Sequence, residues 1–247
     1  MKDKLWIGIV IILASLILGI SFIIGASMLT KTIKAKEIII SDKSLNRIVG
    51  AIQSLRQGAE APQPKMPEPG EKRVEGVTAG TSPIKGKANA QVLLVEFSDF
   101  QCPYSKMFYK ESFPQIQKEY IDTGKVKFAY RDYPLDFHPL AKGAAVACRC
   151  AGRQNKYWEM FDKLMTNNAL DIDSLKKYSQ EIGLNAGSFE KCLGDSSIAN
   201  EVDKETQEAA QFGVQGTPAF FINGRFVEGA YPFEAFKKII EEELTKR

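Results

Sequence analysis

The chain has little of what most metal sites are made of. One histidine, His138, and four cysteines, Cys102, Cys148, Cys150 and Cys192, are all it offers to a soft metal, and no two cysteines have C-x-x-C spacing. A structural metal site is therefore not expected, nor any other cofactor. An excess of one charge is also lacking. The net charge is +3; residues 30–88 carry eleven Lys/Arg against six Asp/Glu, and residues 89–247 carry twenty against twenty-three. A mildly acidic globular part argues against nucleic acid as a partner. The basic excess lies beside the hydrophobic N-terminus, where it can meet anionic lipid. No internal repeat is evident.

What is present begins with one long apolar run. Residues 5–30 (LWIGIVIILASLILGISFIIGASMLT) carry no charge and follow Lys2 and Lys4. A bilayer core takes about 20 apolar residues, whereas the apolar stretch of a cleaved signal takes about 7–15. The run predicts an uncleaved signal anchor in the lipid bilayer, a single transmembrane helix over residues 1–30. Small residues at Gly25-Ala26-Ser27 are the only invitation to a protease. The flanking charges do not set its direction, because Lys31, Lys34 and Lys36 oppose Lys2 and Lys4. The cysteine chemistry places the C-terminal domain outside, giving a single-pass protein of the cell membrane.

Residues 31–81 are expected to be a membrane-proximal helix and linker. Leu45, Ile48, Val49, Ile52 and Leu55 recur at helical spacing, and residues 58–80, with APQPKMPEPGEK inside them, read as a flexible Pro/Gly-rich tether. The compact part starts near Pro83 and forms the domain 82–247. Residues 92–97 (VLLVEF) predict a buried central strand, followed by a helix from Pro103 to about Tyr120. A second strand over 126–131 (VKFAYR) completes a right-handed parallel unit. Residues 138–213 read as a helical insertion broken near 167–170, 183–187 and 194–195. Residues 219–222 and 225–228, around Asn223-Gly224, predict a hairpin, and a last helix runs over 233–244.

The chemistry concentrates in FSDFQCPYSKMF, residues 97–108. Cys102 stands between a strand and a helix, with Pro103 at the first helical position, where proline is best tolerated. Its sulfur should face unpaired N–H groups and the positive end of the helix dipole, which favour a thiolate. Glu96, a charge inside an apolar strand, is either a buried acid or a strand-end surface carboxylate, and Asp99 is a candidate of the latter kind. Phe100, Tyr104 and Met107 can offer an apolar surface to a client or belong to the core.

VLLVEFSDFQCPYS, GVQGTPAFFING and the helical block between them resemble the DsbA-like branch of the thioredoxin superfamily, over about residues 82–244. The resemblance implies an α/β thioredoxin fold, a central mixed β-sheet flanked by helices, with an inserted helical domain. It implies a thiol–disulfide oxidoreductase or isomerase in which Cys102 attacks and Glu96, beneath the site, passes a proton to or from sulfur. Thr217-Pro218 would be a cis-proline loop facing the cysteine, the other reading being an ordinary trans turn. Phe100, Tyr104, Gly216, Thr217 and Pro218 would then bind unfolded or disulfide-containing client proteins. His138 matches the start of the helical block, where it can cap the helix or sit by the active site.

The departure is Ser105, which stands where the dithiol members carry their second cysteine. A hydroxyl cannot attack a mixed disulfide, so local resolution is lost. Three routes stay open: an external thiol (a membrane or small-thiol redox partner) releases Cys102, Cys148 resolves it from a distance, or the site holds clients without turnover. In that last case the protein is a peptide-binding chaperone or scaffold on a degenerate thioredoxin fold. Cys148 and Cys150 are two apart on a predicted helix and cannot easily bridge each other. Either can pair with Cys192, and the resemblance of their settings selects Cys150. That leaves Cys148 as a resolving thiol or a buried apolar residue.

Overall fold

The computed structural model describes residues 69–246. The signal anchor, the helix expected over 44–55 and the first part of the linker lie outside the described residues. No helix among those described is long and apolar enough to cross a membrane.

The VLLVEFS stretch is strand β2 (Val92–Ser98), the middle of a five-stranded sheet in the order β1-β3-β2-β4-β5. It runs parallel to β3 (Val126–Asp132), with Leu94 beside Phe128 and Glu96 beside Tyr130, and antiparallel to β4 (Ala219–Ile222). A strand paired on both sides and covered on both faces needs apolar residues at nearly every position, and β2 has them. Successive side chains alternate between faces. Val92, Leu94, Phe128, Tyr130, Phe220 and Ile222 enter the larger core, while Val95, Phe97, Ala219 and Phe221 meet Ala209 and Val214 on the other side. β4 turns through Asn223 (φ 47) and Gly224 (φ 84) into β5 (Arg225–Glu228). Two positive φ values in a two-residue turn match the twist of a hairpin.

The helix expected to run from Pro103 to Tyr120 is divided. Helix α1 (Pro103–Glu111) ends at Ser112, α2 (Phe113–Ile116) follows, and one π-helical turn (Gln117–Ile121) leads to β3. Pro114 is the cause, since it lacks an N–H and its ring crowds the preceding turn. The insertion begins at Ala141 and holds α3 (Ala141–Gly152), α4 (Tyr157–Thr166), α5 (Ile172–Glu181), α6 (Ala186–Leu193) and α7 (Ser196–Gln211). Three of its breaks carry side-chain caps: Asp171 accepts from Ser174 N, Asn185 from Ser188 N and Asp195 from Ser197 N. The fourth, between α3 and α4, turns through Asn155 at φ 59, a position the apolar pattern did not mark. Cys150 and Cys192 are joined, Cα–Cα 5.7 Å, tying α3 to α6. Helix α8 (Phe233–Thr245) packs Phe236, Ile239 and Ile240 into the larger core.

The linker needs correction. Residues 70–80, read as part of a flexible tether, lie on the domain. Gly70 N donates to Phe226 O at 2.9 Å, Phe226 N to Lys72 O at 2.8 Å and Val74 N to Gly224 O at 2.8 Å. Arg73 pairs with Glu243 at 2.6 Å. The open edge of β5 leaves backbone donors and acceptors that a polar segment satisfies as well as an apolar one, so composition alone misread it. Farther on, Gly80 (φ +60) passes so close to the Arg131 guanidinium that a Cβ there would lie 2.9 Å from Cζ. A two-residue strand, β1 (Ile84–Lys85), then pairs antiparallel with β3.

Behind β3 lies a buried ion cluster. Arg131, 1% exposed, pairs with Glu205 and Glu208 of α7 and lies over the Phe97 ring at 4.7 Å. Arg149 of α3 pairs with Asp132, Glu201 and Glu205. These contacts fix the insertion to the sheet next to the strand ends that carry the site.

Candidate active site

β2 ends at Ser98, and the chain turns through residues 99–101 into α1. Asp99 holds that turn. It is buried, and its carboxylate accepts from Gln101 N at 2.6 Å and Leu135 N at 2.9 Å, with the His138 ring at 2.8 Å. Gln101 in turn accepts from Leu140 N. The sequence offered Asp99 as a surface carboxylate; it is instead the clasp between the Cys102 turn and the segment leading into α3. His138 belongs to this clasp and does not cap α3.

Cys102 is the N-cap of α1, with Pro103 next to it in the first turn. Its Sγ donates to the Thr217 carbonyl at 3.3 Å, and the Thr217–Pro218 bond is cis. Only 3% of Cys102 is exposed. Pro218 is buried, whereas Gly216 and Thr217 are half-buried, and Thr217 Oγ1 has no partner. The structure thus brings Cys102, Pro103, Thr217 and Pro218 together at the end of the sheet, with Ser105 one turn into the helix. Lys106, in the same turn, donates to the carbonyls of Leu164 and Asn167 and ties α1 to the end of α4. Its burial pushes the ammonium pKa down, against the nearby Asp99 charge.

Glu96 lies beneath. It is 1% exposed on the face that carries Leu94, and burial pushes its carboxyl up to about 8, opposed by a hydrogen bond with Ser98. Ser98 in turn donates to Ser105 Oγ at 2.7 Å, both residues being fully buried. The Tyr130 hydroxyl, on the neighbouring strand, is buried without a partner, as is Glu96 Oε1. Ser98 was not singled out from the sequence, although alternation puts positions 96 and 98 on one face.

The apolar residues separate. Tyr104 is 62% exposed and Met107 36%, on the outer side of α1. Phe100 is a correction: it is 1% exposed, packs against the Tyr130 ring at 4.7 Å and meets Phe161 edge-on, so it offers no surface to a client. Its place is set by the turn, which directs it into the aromatic core between sheet and insertion. Exposed Phe137 and Leu140, on the segment clasped by Asp99, were not anticipated. Cys148 is a free thiol, fully buried on α3 and donating to the Tyr157 carbonyl at 3.6 Å. Burial, with help from Asp132, pushes its pKa well up.

The chain is similar to known proteins in sequence and in fold. The thioredoxin family profile matches residues 78–242. A Na(+)/H(+) antiporter NhaA 3 of Salinispora tropica is 33% identical over 159 residues, covering 64% of this chain and 24% of the antiporter. The chain therefore spans about a quarter of the length of that relative. A probable disulfide bond formation protein D of Bacillus cereus is 30% identical over 171 residues, 65% of this chain and 78% of that protein. The crystal structure of oxidised BdbD from Bacillus subtilis superposes with a TM-score of 0.62 at 26% identity, over 67% of this chain and 94% of that one. With the family match reaching from the docked linker to the last helix, the chain belongs to the thioredoxin superfamily, on its DsbA-like branch.

Proposed function

We propose that the protein is a thiol–disulfide oxidoreductase working through a single thiol, Cys102. One observation carries the reading: the Cys102 sulfur stands at the head of α1, 3.3 Å from the Thr217 carbonyl, where an extended client chain can lie along free backbone. The Cys102 sulfur attacks one sulfur of a client disulfide. The client S–S bond breaks, a Cys102–client disulfide forms, and the released client sulfur takes a proton. Ser105 supplies no second sulfur, so a thiol from a small molecule or a redox partner attacks the client side of the mixed disulfide and frees Cys102. The burial and raised pKa of Cys148 favour this external route over a remote resolver. Tyr104, Met107, Gly216 and Thr217 form the client surface in this reading.

Independent features support a membrane-anchored, extracytoplasmic location. The uncharged run over residues 5–30 supports a membrane anchor. The Cys150–Cys192 bridge suits an oxidising, extracytoplasmic compartment, and the Bacillus relatives are named for disulfide bond formation.

A peptide-binding module without turnover is the second reading, favoured by the slight exposure of Cys102. Non-reducing mass spectrometry after incubation with a disulfide-bearing peptide decides between them. A Cys102–peptide adduct, absent in Cys102→Ala, is the expected result. Peptide binding of unchanged strength in Cys102→Ala, with no adduct in the native protein, would establish the module instead.

A further inference from the structure

Between β3, α3, α7 and the chain that leads into β1 lies a cavity of about 410 Å³. It shares no residue with the Cys102 site, and thiol exchange makes no use of it. Arg131, 1% exposed, is the least exposed of the charged residues that line it. The chain from Gly80 to Pro83 forms one wall. That wall is fitted closely. Gly80 adopts φ +60, and a Cβ there would lie 2.9 Å from Arg131 Cζ and Nε, so glycine alone lets the backbone close over the guanidinium. Ser82 N donates back to Ala79 O at 3.2 Å, and its hydroxyl reaches Glu205.

The polar atoms left over in this cavity are donors. Glu205 takes Arg131 Nε on one oxygen and Arg149 on the other. Glu201 takes Arg149 and Arg153, and Glu208 takes Arg131 Nη2. Every carboxylate on the walls is thus already paired. Arg131 Nη1, by contrast, is buried without a partner. Lys204, exposed on α7 at the rim, has no ion-pair partner among the described residues. A buried donor left unmade is costly, and native folds rarely keep one without an acceptor. Asp132 Oδ1 is also unpartnered, but Asp132 does not line the cavity.

We infer that this cavity binds a small carboxylate, with one oxygen on Arg131 Nη1 and the charge facing Lys204. Charge selects the class. Four cations, Arg131, Arg149, Arg153 and Lys204, line the cavity against three glutamates, and Asp132 stands behind Arg149 as a fourth acid. Two free donors accommodate one negative charge. The second charge of a phosphate dianion would fall among glutamates with no cation left to pair it. The volume admits a body larger than the carboxylate itself, beside Tyr157 and Pro83. The carboxylate can come from a simple organic acid or from a free amino acid. In the second case the ammonium has Glu208, whose side chain is 34% exposed and paired through one oxygen only. Either ligand would join β3 and α7 to the Gly80–Pro83 segment.

The test is calorimetric titration of the full chain, purified in detergent, with sodium acetate, glycine and sodium phosphate near neutral pH. Sodium chloride holds the ionic strength constant. Acetate or glycine should bind saturably, with a Kd on the order of 1 mM for so small a ligand, and phosphate should bind more weakly. Lys204 is exposed and unpaired, so its variants probe the site without threatening the fold. Lys204→Gln should weaken the carboxylate about 3-fold to 5-fold, and Lys204→Arg should keep the native affinity. Gly80→Ala, which drives the wall off Arg131, should lose saturable binding. Tighter binding of glycine than of acetate would support the site with an amino acid as the source; the reverse would support it with a simple acid. Absence of saturable binding by both carboxylates would overturn the proposal. So would tighter binding of phosphate than of either, or a carboxylate Kd unchanged in both Lys204→Gln and folded Gly80→Ala.

Discussion

Cys102 and Thr217 stand 115 positions apart in sequence, yet the sulfur of one donates to the carbonyl of the other at 3.3 Å. The contact joins the head of α1 to the loop entering β4. It also marks one of the two free thiols, Cys102 and Cys148, as the one at the site.

The two thiols should differ in reactivity. Cys148 is fully buried within the insertion, and its raised pKa keeps it protonated. Iodoacetamide at pH 8 is expected to label Cys102 in the folded protein and to leave Cys148 untouched until guanidinium is added. Peptide mass mapping reads both sites. Labelling of Cys148 at the rate of Cys102 in the folded state would reinstate a remote resolver.

Stability should fall as pH rises. Glu96 holds its proton up to about pH 8 when folded, against an ordinary carboxyl value of 4.5. Between those limits the folded state binds the proton that the unfolded state has released. Unfolding free energy therefore declines across the window and levels above it. At about 1.4 kcal/mol per pKa unit, the full effect is on the order of 4–5 kcal/mol. Asp132, raised by burial to about 6, adds a slope of the same sign at lower pH. Urea unfolding at a series of pH values should show a shallower decline between pH 6 and 8 in Glu96→Gln than in the native protein. Parallel curves would mean that Glu96 is ionised in the fold.

Much of this was legible in the sequence. β2, β3, the hairpin and α8 declare themselves by apolar runs and an Asn-Gly turn, and three breaks in the insertion coincide with Asp or Asn caps. What stayed hidden depends on partners distant in sequence. The two residues of β1 carry no pattern of their own and form only because β3 offers an edge. Glu205 reads as one more charge on a polar helix until Arg131, 74 positions away, pairs with it. Asp99 resembles a surface acid because its acceptors are filled by the backbone of Leu135 and by His138. Ser105 reads as a deletion of function because the hydroxyl it meets belongs to a residue outside the motif.

Glu205 should be costly to remove. It accepts from Arg131 Nε, from Asp132 N and from Arg149, all with little exposure. Breaking a buried pair on one side leaves charge uncompensated, typically at a cost of about 3–5 kcal/mol. Glu205→Ala is expected to lower the unfolding free energy by that order in urea titrations. A change below about 1 kcal/mol would show that Glu208 and Glu201 substitute for it.

The Cys150–Cys192 bridge closes a separation of 42 residues. The loop-entropy relation gives about 3–4 kcal/mol for such a closure. Cys150→Ala/Cys192→Ala should lose stability of that order by urea unfolding. It should still form the Cys102 adduct at the native rate, because the bridge lies within the insertion. Loss of adduct formation in a folded double variant would give the bridge a part in the chemistry.

The docking of residues 70–74 along β5 changes the reach of the domain. On the membrane-anchored reading, residues 70–80 do not add to the length of the tether. An extended Pro-rich chain gains about 3.1 Å per residue, so that about a dozen residues taken up by the fold remove about 40 Å from the distance at which Cys102 can meet a client. The leash also enters at the β5 edge of the sheet. On that same reading, three backbone hydrogen bonds limit the search volume of the thiol.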